Sequence, residues 1–476
     1  MYGYQDFIGA LRSFRLNKNK NSDILSVHRS IYRHIFLWLE IDLDKGVLTG
    51  YYGTYNKENK IMRILRLELK RMLKARLTWI LLSLVLVFSI LLAYLPVTYC
   101  YSSYTDENGN EIHLTGLKSI AYEKELQADA SGTVTPERVR RAVETYQACL
   151  NAYGVTESYD LPQGVYEREI LPIAPLLHGV KEAFADPDTG MAPAIMEIDP
   201  EQIDNYYSVC EERIASLMAM EQPDSGAVRQ KAAEMYRRVP KPFEVYPGIS
   251  STIMDYQNMM SFLVLLFCVV IAAPVFSADY QSGADDILRC TKYGRINLGV
   301  AKLLAVLLIS GLAFIVCAVT FIVVTNSLFG WECIKTSIQM MYSIVTLAEM
   351  DIGQLQVLFA VAGLLSVLAS VSFTLFLSSK CKSTVSSLAA SLVFCIAPVV
   401  ICMTVPGALS TWLCSILPAS GTSIQASILY AITDFQFLNV GGLSIWTPYA
   451  MIGACVIEIP LFSFLTIRSY CKHTVN

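Results

Sequence analysis

The chain contains 476 residues, of which 54% are hydrophobic and 16% are charged. Soluble proteins average about 25% charged residues, so this composition argues against a soluble protein. The formal net charge is −4, but residues 100–257 alone carry 26 acidic and 13 basic side chains. No basic surface with interleaved aromatic residues is evident, which argues against nucleic acid as a partner.

The apolar residues are grouped into long uncharged runs. A helix needs roughly 20 mostly apolar residues to cross about 30 Å of hydrocarbon. Six runs meet this requirement: 77–97, 258–276, 303–325, 354–378, 385–405 and 447–467. We therefore predict an all-α polytopic membrane protein with six transmembrane helices, the first of which (77–99) is an uncleaved signal anchor.

Basic residues near the ends of the spans predict the orientation, because cytoplasmic loops carry the excess of Lys and Arg. With six spans, every basic cluster falls on the same side of the membrane. The clusters lie at 63–76, 289–302, 380–382 and 468–472. This arrangement places both termini in the cytoplasm and the acidic segment 100–257 outside.

Residues 383–433 form a stretch of 51 residues without a charge, long enough for one crossing or two. Two crossings would leave the basic residues after 467 outside, and Pro406-Gly407, Pro418 and Gly421 interrupt 406–433. We therefore predict one span, followed by an apolar outer hairpin at 406–446. It would be partly re-entrant or interfacial, with protein covering its backbone at membrane depth.

Segment 100–257 shows helical periodicity between recognisable start signals. Thr135-Pro136 begins a helix that Gly154 ends, Asp199-Pro200 begins a second, and a third amphipathic run covers 225–239. We predict a mainly helical extracytoplasmic domain that captures substrate, gates the pathway or simply caps the spans. Its cysteines, Cys100, Cys149 and Cys210, could include one disulfide, although Cys210 lies on an apolar stripe.

Two segments precede the first span. Residues 1–61 are polar and aromatic, and we expect a cytoplasmic extension that is either a genuine domain or the product of an upstream start. Residues 62–76 place apolar side chains opposite basic ones. This pattern predicts an amphipathic helix lying on the inner membrane surface.

The sequence lacks the common catalytic, phosphate-binding and zinc-binding motifs. It contains no G-x-x-x-x-G-K-[ST] phosphate loop, no G-x-S-x-G elbow and no H-E-x-x-H zinc motif. The five histidines lack the spacing of metal ligands. We therefore expect no catalytic residue, bound cofactor or metal in this chain, and energy input must come from a partner subunit or an ion gradient.

The inner loop between the second and third spans, 277–302, is the most informative stretch. A short helix from Tyr280 to Cys290 places Ile287 and Leu288 beside charged side chains, a mixed surface suited to docking on another protein. The charged neighbours are Asp285, Asp286 and Arg289. A solvated connector is the alternative, in which Arg295 and Lys302 mainly anchor the inner side.

At these residues the sequence resembles the permease subunits of bacterial type-2 ABC exporters. In that family an acidic residue, a Gly and a Leu pair run into a Thr/Ser-x-x-Gly/Ser-Arg turn and a Lys that heads the next helix. Asp279 stands where the family often has Glu. The basic helix, the six spans and the outer hairpin extend the resemblance over about 62–472.

The resemblance implies a permease subunit in the cell membrane that forms a pathway with a second copy or a paralogue. A separate ATP-binding ABC subunit would bind ATP and Mg²⁺. The docking residues implied by the resemblance are Asp279, Gly283, Asp285, Asp286, Ile287, Leu288, Arg289 and Arg295. The sequence does not indicate the substrate.

Two other functions stay open. One is a transducer whose ectodomain is moved by ATP hydrolysis, although such proteins typically have four spans. The other is an ion-driven carrier or intramembrane enzyme, which needs paired ionisable residues within spans. Glu458 is the only such carboxylate deep in a predicted span. It either lines a pathway or acts as a latch, or it is a neutral carboxyl bonded to Ser366, Ser370 or Ser372.

Overall fold

The computed structural model describes residues 55–105, 110–162, 164–291, 294–440 and 443–472. The expected extension 1–61 lies outside the described residues except for its last seven positions. Those positions begin helix α1, Tyr55–Lys74, which is therefore longer than the predicted amphipathic helix 62–76. Ala75 is extended and ends α1, and α2, Arg76–Tyr99, follows at once as the first span.

A helical domain follows α2, and we call residues 100–250 the inter-span domain. Its helices are α3 (Leu117–Leu126), α4 (Pro136–Tyr153), the short α5 (Ala174–Leu177) and α6 (Val180–Ala183), α7 (Tyr206–Glu221) and α8 (Gly226–Arg238). Strands β1 (Tyr101–Thr105) and β2 (Glu111–Thr115) form one antiparallel pair, and β3 (Gly132–Thr133) and β4 (Glu244–Val245) another.

The helix start signals read from the sequence are present in the inter-span domain. The Thr135 hydroxyl accepts a hydrogen bond from the Arg138 amide at 3.4 Å, and Gly154 ends α4 in the left-handed conformation with φ 67°. Asp199 caps a 3-10 turn, Pro200–Asn205, which leads directly into α7. Capping of this kind satisfies amide groups that the first helical turn leaves without partners.

The remaining spans contain α9 (Ser251–Ala272) with its extension α10 (Pro274–Ser282), α12 (Ile296–Phe329), α13 (Ile352–Ser378), α14 (Thr384–Thr404) and α17 (Thr447–Lys472). The short helix α11 (Ala284–Cys290) joins α10 to α12. Within the described residues, six helices are long and apolar enough to cross a membrane, as predicted. Helix α13 packs against α9, α12 and α17, and α2 packs against α9 and α12.

The outer hairpin 406–446 folds back on the bundle. It contains α15 (Ala408–Ile416), a 3-10 turn (Ser420–Thr422), α16 (Ile428–Thr433) and the antiparallel strands β5 (Phe437–Val440) and β6 (Leu443–Trp446). The Ser366 hydroxyl of α13 donates to the Pro418 carbonyl at 2.6 Å. This contact covers part of the hairpin backbone with protein, and the predicted depth of the hairpin in the membrane stays a prediction.

The loop between α12 and α13, residues 330–351, belongs to the core of the inter-span domain, although no periodic pattern in the sequence indicates this. The Ser337 amide donates to the Glu244 carbonyl at 2.9 Å, and the Tyr236 hydroxyl donates to the Ile344 carbonyl at 2.9 Å. Ile338 and Ile344 are completely buried in that core. The domain is therefore attached to the bundle by three chain connections, through α2, α9 and this loop.

All 13 cysteines are free thiols. Cys210 is completely buried, and this burial raises the pKa of its thiol to about 12. Cys210 packs in the domain core together with the other residues of the apolar stripe of α7, as its position in the sequence predicts.

Candidate functional site

The inner loop begins where α9 passes into α10. Pro274 has no amide hydrogen, so the helix loses a hydrogen bond at this point. The Ser378 hydroxyl, at the end of α13, donates to the Ala273 carbonyl at 2.7 Å and accepts the Phe276 and Ser277 amides at 3.1 Å each. This hydroxyl fixes the start of α10 to the fourth span.

Two glycines shape the loop. Gly283 separates α10 from α11 with φ 70°, a left-handed conformation that glycine adopts without steric cost. A Cβ atom added at Gly294 would lie 1.6 Å from the Leu288 carbonyl oxygen, so only glycine allows the two backbone segments to come this close. Both positions belong to the motif that carries the family resemblance.

Asp279 lies in an ion network inside the bundle. Its carboxylate accepts a hydrogen bond from the ammonium group of Lys302, which is fully buried at the head of α12. Arg71 of α1 lies 3.7 Å from Asp279 and 2.9 Å from Glu68. The network therefore joins the amphipathic helix, the inner loop and the third span.

A second network holds α11 against the last span. Asp285 is 3% exposed and lies 3.3 Å from Arg289, whose guanidinium donates to the Tyr470 carbonyl and stacks over the Tyr470 ring. The Tyr470 hydroxyl donates to the Gly294 carbonyl at 3.0 Å. Asp285 and Arg289 thus hold α11 to the bundle from within this chain, and the docking role expected of them stays a prediction.

The surface that α11 presents outward is small and mixed. Ile287 is 75% exposed, Asp286 and Arg295 are exposed, and Leu288 is half-buried. An isolated aliphatic side chain on a charged, firmly anchored helix resembles the apolar centre of a protein interface. Of the eight residues singled out from the sequence, four are exposed for contact, namely Gly283, Asp286, Ile287 and Arg295, and Asp279, Asp285 and Arg289 brace the loop from inside.

Glu458 lies half-buried in α17, and its Oε2 atom has no hydrogen-bond partner within the described residues. The expected serine partners do not supply one. Ser366 donates to Pro418, and Ser372 donates to the Leu368 carbonyl at 2.8 Å. The third expected partner, Ser370, is buried, and its Oγ makes no hydrogen bond within the described residues, to Glu458 or to any other group.

Across the described ranges, no group of three or more His, Cys, Asp or Glu side chains could hold a metal ion.

Comparison with known proteins gives one finding. The family described as ABC-2 family transporter protein matches residues 62–438, which is most of the chain. No curated protein and no solved structure matches. Membrane proteins of this family are typically permeases without catalytic activity, and they generally pair with an ATP-binding subunit. The match and the six apolar helices show that this chain is a multi-pass membrane permease of the ABC-2 transporter family.

Proposed function

We propose that the chain is the permease subunit of an ATP-driven exporter and that α11 docks on a separate ATPase subunit, which binds ATP and Mg²⁺. The single observation that carries this proposal is Ile287, 75% exposed on a helix held by buried charges. A few central side chains that become fully desolvated supply most of the binding energy of an interface, and Ile287 is the most exposed apolar side chain of α11.

The two ion networks suggest how movement of the ATPase reaches the membrane. Displacement of α11 acts on α17 through Arg289 and Tyr470, and displacement of α10 acts on α12 through Asp279 and Lys302. Separating a buried charge pair is costly, so in this proposal Asp279 and Lys302 stay together and α10 and α12 move as a unit.

A second permease copy, or a paralogue, completes the pathway in this proposal. Helices α14 and α17 are largely uncovered by the rest of the chain and carry exposed apolar residues such as Val393, Ile457 and Phe464. Lipid covers part of this surface, and the second copy covers the rest. Both termini lie in the cytoplasm, and the inter-span domain lies outside, because the basic clusters all fall on the side of α11.

One observation favours the transducer as a second candidate function. The loop 330–351 connects the inter-span domain to α13 through Ser337 and Ile344, so movement of the fourth span would also move the domain. A transport assay in vesicles separates the two functions. A transducer would show ATP hydrolysis coupled to the permease but would move no substrate into the vesicles.

The docking proposal is tested by Ile287→Asp in the complex purified with its ATPase subunit. We expect normal membrane insertion, loss of co-purification and loss of ATPase coupling, because a charge replaces the apolar anchor. The matched control is Val385→Asp, which alters an aliphatic side chain that is 74% exposed at the inner end of α14. Full coupling in Ile287→Asp would show that α11 is not the contact.

A further inference from the structure

A cleft lies at the outer end of the spans, opposite α11. It has a volume of about 710 Å³ and is formed by the end of α7, the end of α14, the outer hairpin and the start of α17. A neighbouring cavity of about 400 Å³ shares Glu221, Gln222 and Asn439 with it. These volumes fall in the range of sites for small organic molecules, roughly 300–1,000 Å³.

Charge in this cleft has one sign. The cleft is lined by two carboxylates, Glu221 and Asp434, and the neighbouring cavity adds Asp224; among the described residues, neither lining contains Lys, Arg or His. Asp434 is reachable from solvent, yet the surrounding protein and the negative charge of Glu221 together raise the pKa of its carboxyl. Carboxylates placed close together without a basic partner are stabilised by a bound cation.

The cleft also contains a hydroxyl without a partner. Ser427 lines it, is completely buried, and its Oγ makes no hydrogen bond within the described residues. Other lining hydroxyls are bonded to the protein: Thr447 donates to the Gln436 carbonyl at 2.6 Å and Ser415 to the Thr411 carbonyl at 2.6 Å. Buried polar groups are rarely left unpaired, so this hydroxyl is available to a ligand.

The remaining wall is apolar and aromatic. Trp412, Phe437 and Met451 line the cleft beside the hydroxyl groups. Aromatic faces attract organic cations, and an indole ring is the most favourable of them. The lining therefore combines the two features that an organic cation with an apolar body requires.

We infer that this acidic cleft binds an organic cation with an apolar body, held by Asp434 and Glu221 and packed against Trp412. The cleft lies at the end of the spans farthest from α11, so we assign it as an exit or recognition site for exported cargo. Only this role in export rests on the proposed function. Binding itself does not depend on the ATPase.

Equilibrium binding of radiolabelled tetraphenylphosphonium to the full chain in lipid nanodiscs tests the inference, with empty nanodiscs subtracted. We expect saturable binding to the unaltered chain and at least about tenfold weaker binding to the double variant Asp434→Asn with Glu221→Gln. Asp188→Asn, which removes an exposed carboxylate outside the cleft, should bind as the unaltered chain does. Tetraphenylborate, an anion of the same shape, should show no saturable binding.

Three results would overturn the inference: no saturable binding of the cation, unchanged affinity in the double variant, or equal binding of the anion. Retention of the unaltered thermal unfolding midpoint shows that the double variant is folded. The outcome is separable from the docking proposal. Carboxylate-dependent binding together with full coupling in Ile287→Asp would reject the docking contact and leave the cleft assignment standing.

Discussion

The buried ammonium group of Lys302 pairs with the carboxylate of Asp279, 23 residues earlier in the chain. Lys302 is 0% exposed and also lies 3.4 Å from the Val275 carbonyl and 5.6 Å from the centre of the Phe276 ring. This pair connects the inner loop to the third span at a point where water does not reach the cation.

Removal of one member of the pair should be strongly destabilising. We expect Asp279→Asn to lower the free energy of unfolding by about 3–5 kcal/mol, because the buried Lys302 ammonium then loses the carboxylate that pairs with it directly. Thermal unfolding of the purified chain in nanodiscs measures the effect.

The double variant Asp279→Leu with Lys302→Met serves as the control for this prediction. Apolar residues of similar volume often replace a buried pair without loss of stability, so the double variant should unfold close to the unaltered chain while its ATPase coupling falls. Equal stability of Asp279→Asn and the unaltered chain would contradict the buried pairing.

The orientation of the chain is predicted to place the inter-span domain outside. Tyr159 is 81% exposed in that domain, and Lys382 is exposed in the turn between α13 and α14. With the exposed Cys290 and Cys402 changed to Ser, Tyr159→Cys should react with a membrane-impermeant maleimide in whole cells. Lys382→Cys should react only after lysis, and reaction of Lys382→Cys in intact cells would reverse the topology.

Glu458 provides a test of the pathway. Within the described residues its Oε2 is buried without a hydrogen-bond partner, and a carboxyl placed in a span costs ~2.5–3.5 kcal/mol on insertion scales, so we expect a role in the pathway. We expect Glu458→Gln to assemble normally and to lose most transport into vesicles, since the amide keeps the shape but cannot ionise. Transport at the unaltered rate and pH profile would assign a structural role instead.

Local signals in the sequence were sufficient for the helices and the spans. The six apolar runs and the Thr135 cap depend on nearby residues, and the structure contains them close to the predicted bounds. The third span is longer than predicted because α12 begins at Ile296, and Asn297 and Lys302 interrupt the apolar run over its first two turns.

Contacts between distant residues were not predictable from one sequence. Arg289 and Tyr470 are 181 positions apart, so nothing local indicated that Arg289 faces inward and bonds to the last span. Likewise, the loop 330–351 has no periodic pattern, and its place in the domain core depends on pairing with residues such as Glu244 and Tyr236. The burial of Asp285 follows from the same tertiary packing.

Photo-crosslinking at position 287 tests the central claim most directly. A photoreactive phenylalanine derivative replaces Ile287 in the complex, and the same residue replaces Tyr159 of the inter-span domain as the comparison. We predict an adduct with the ATPase subunit from position 287 and none from position 159. An intact complex that gives no ATPase adduct from 287, or gives one from 159, would contradict docking on α11.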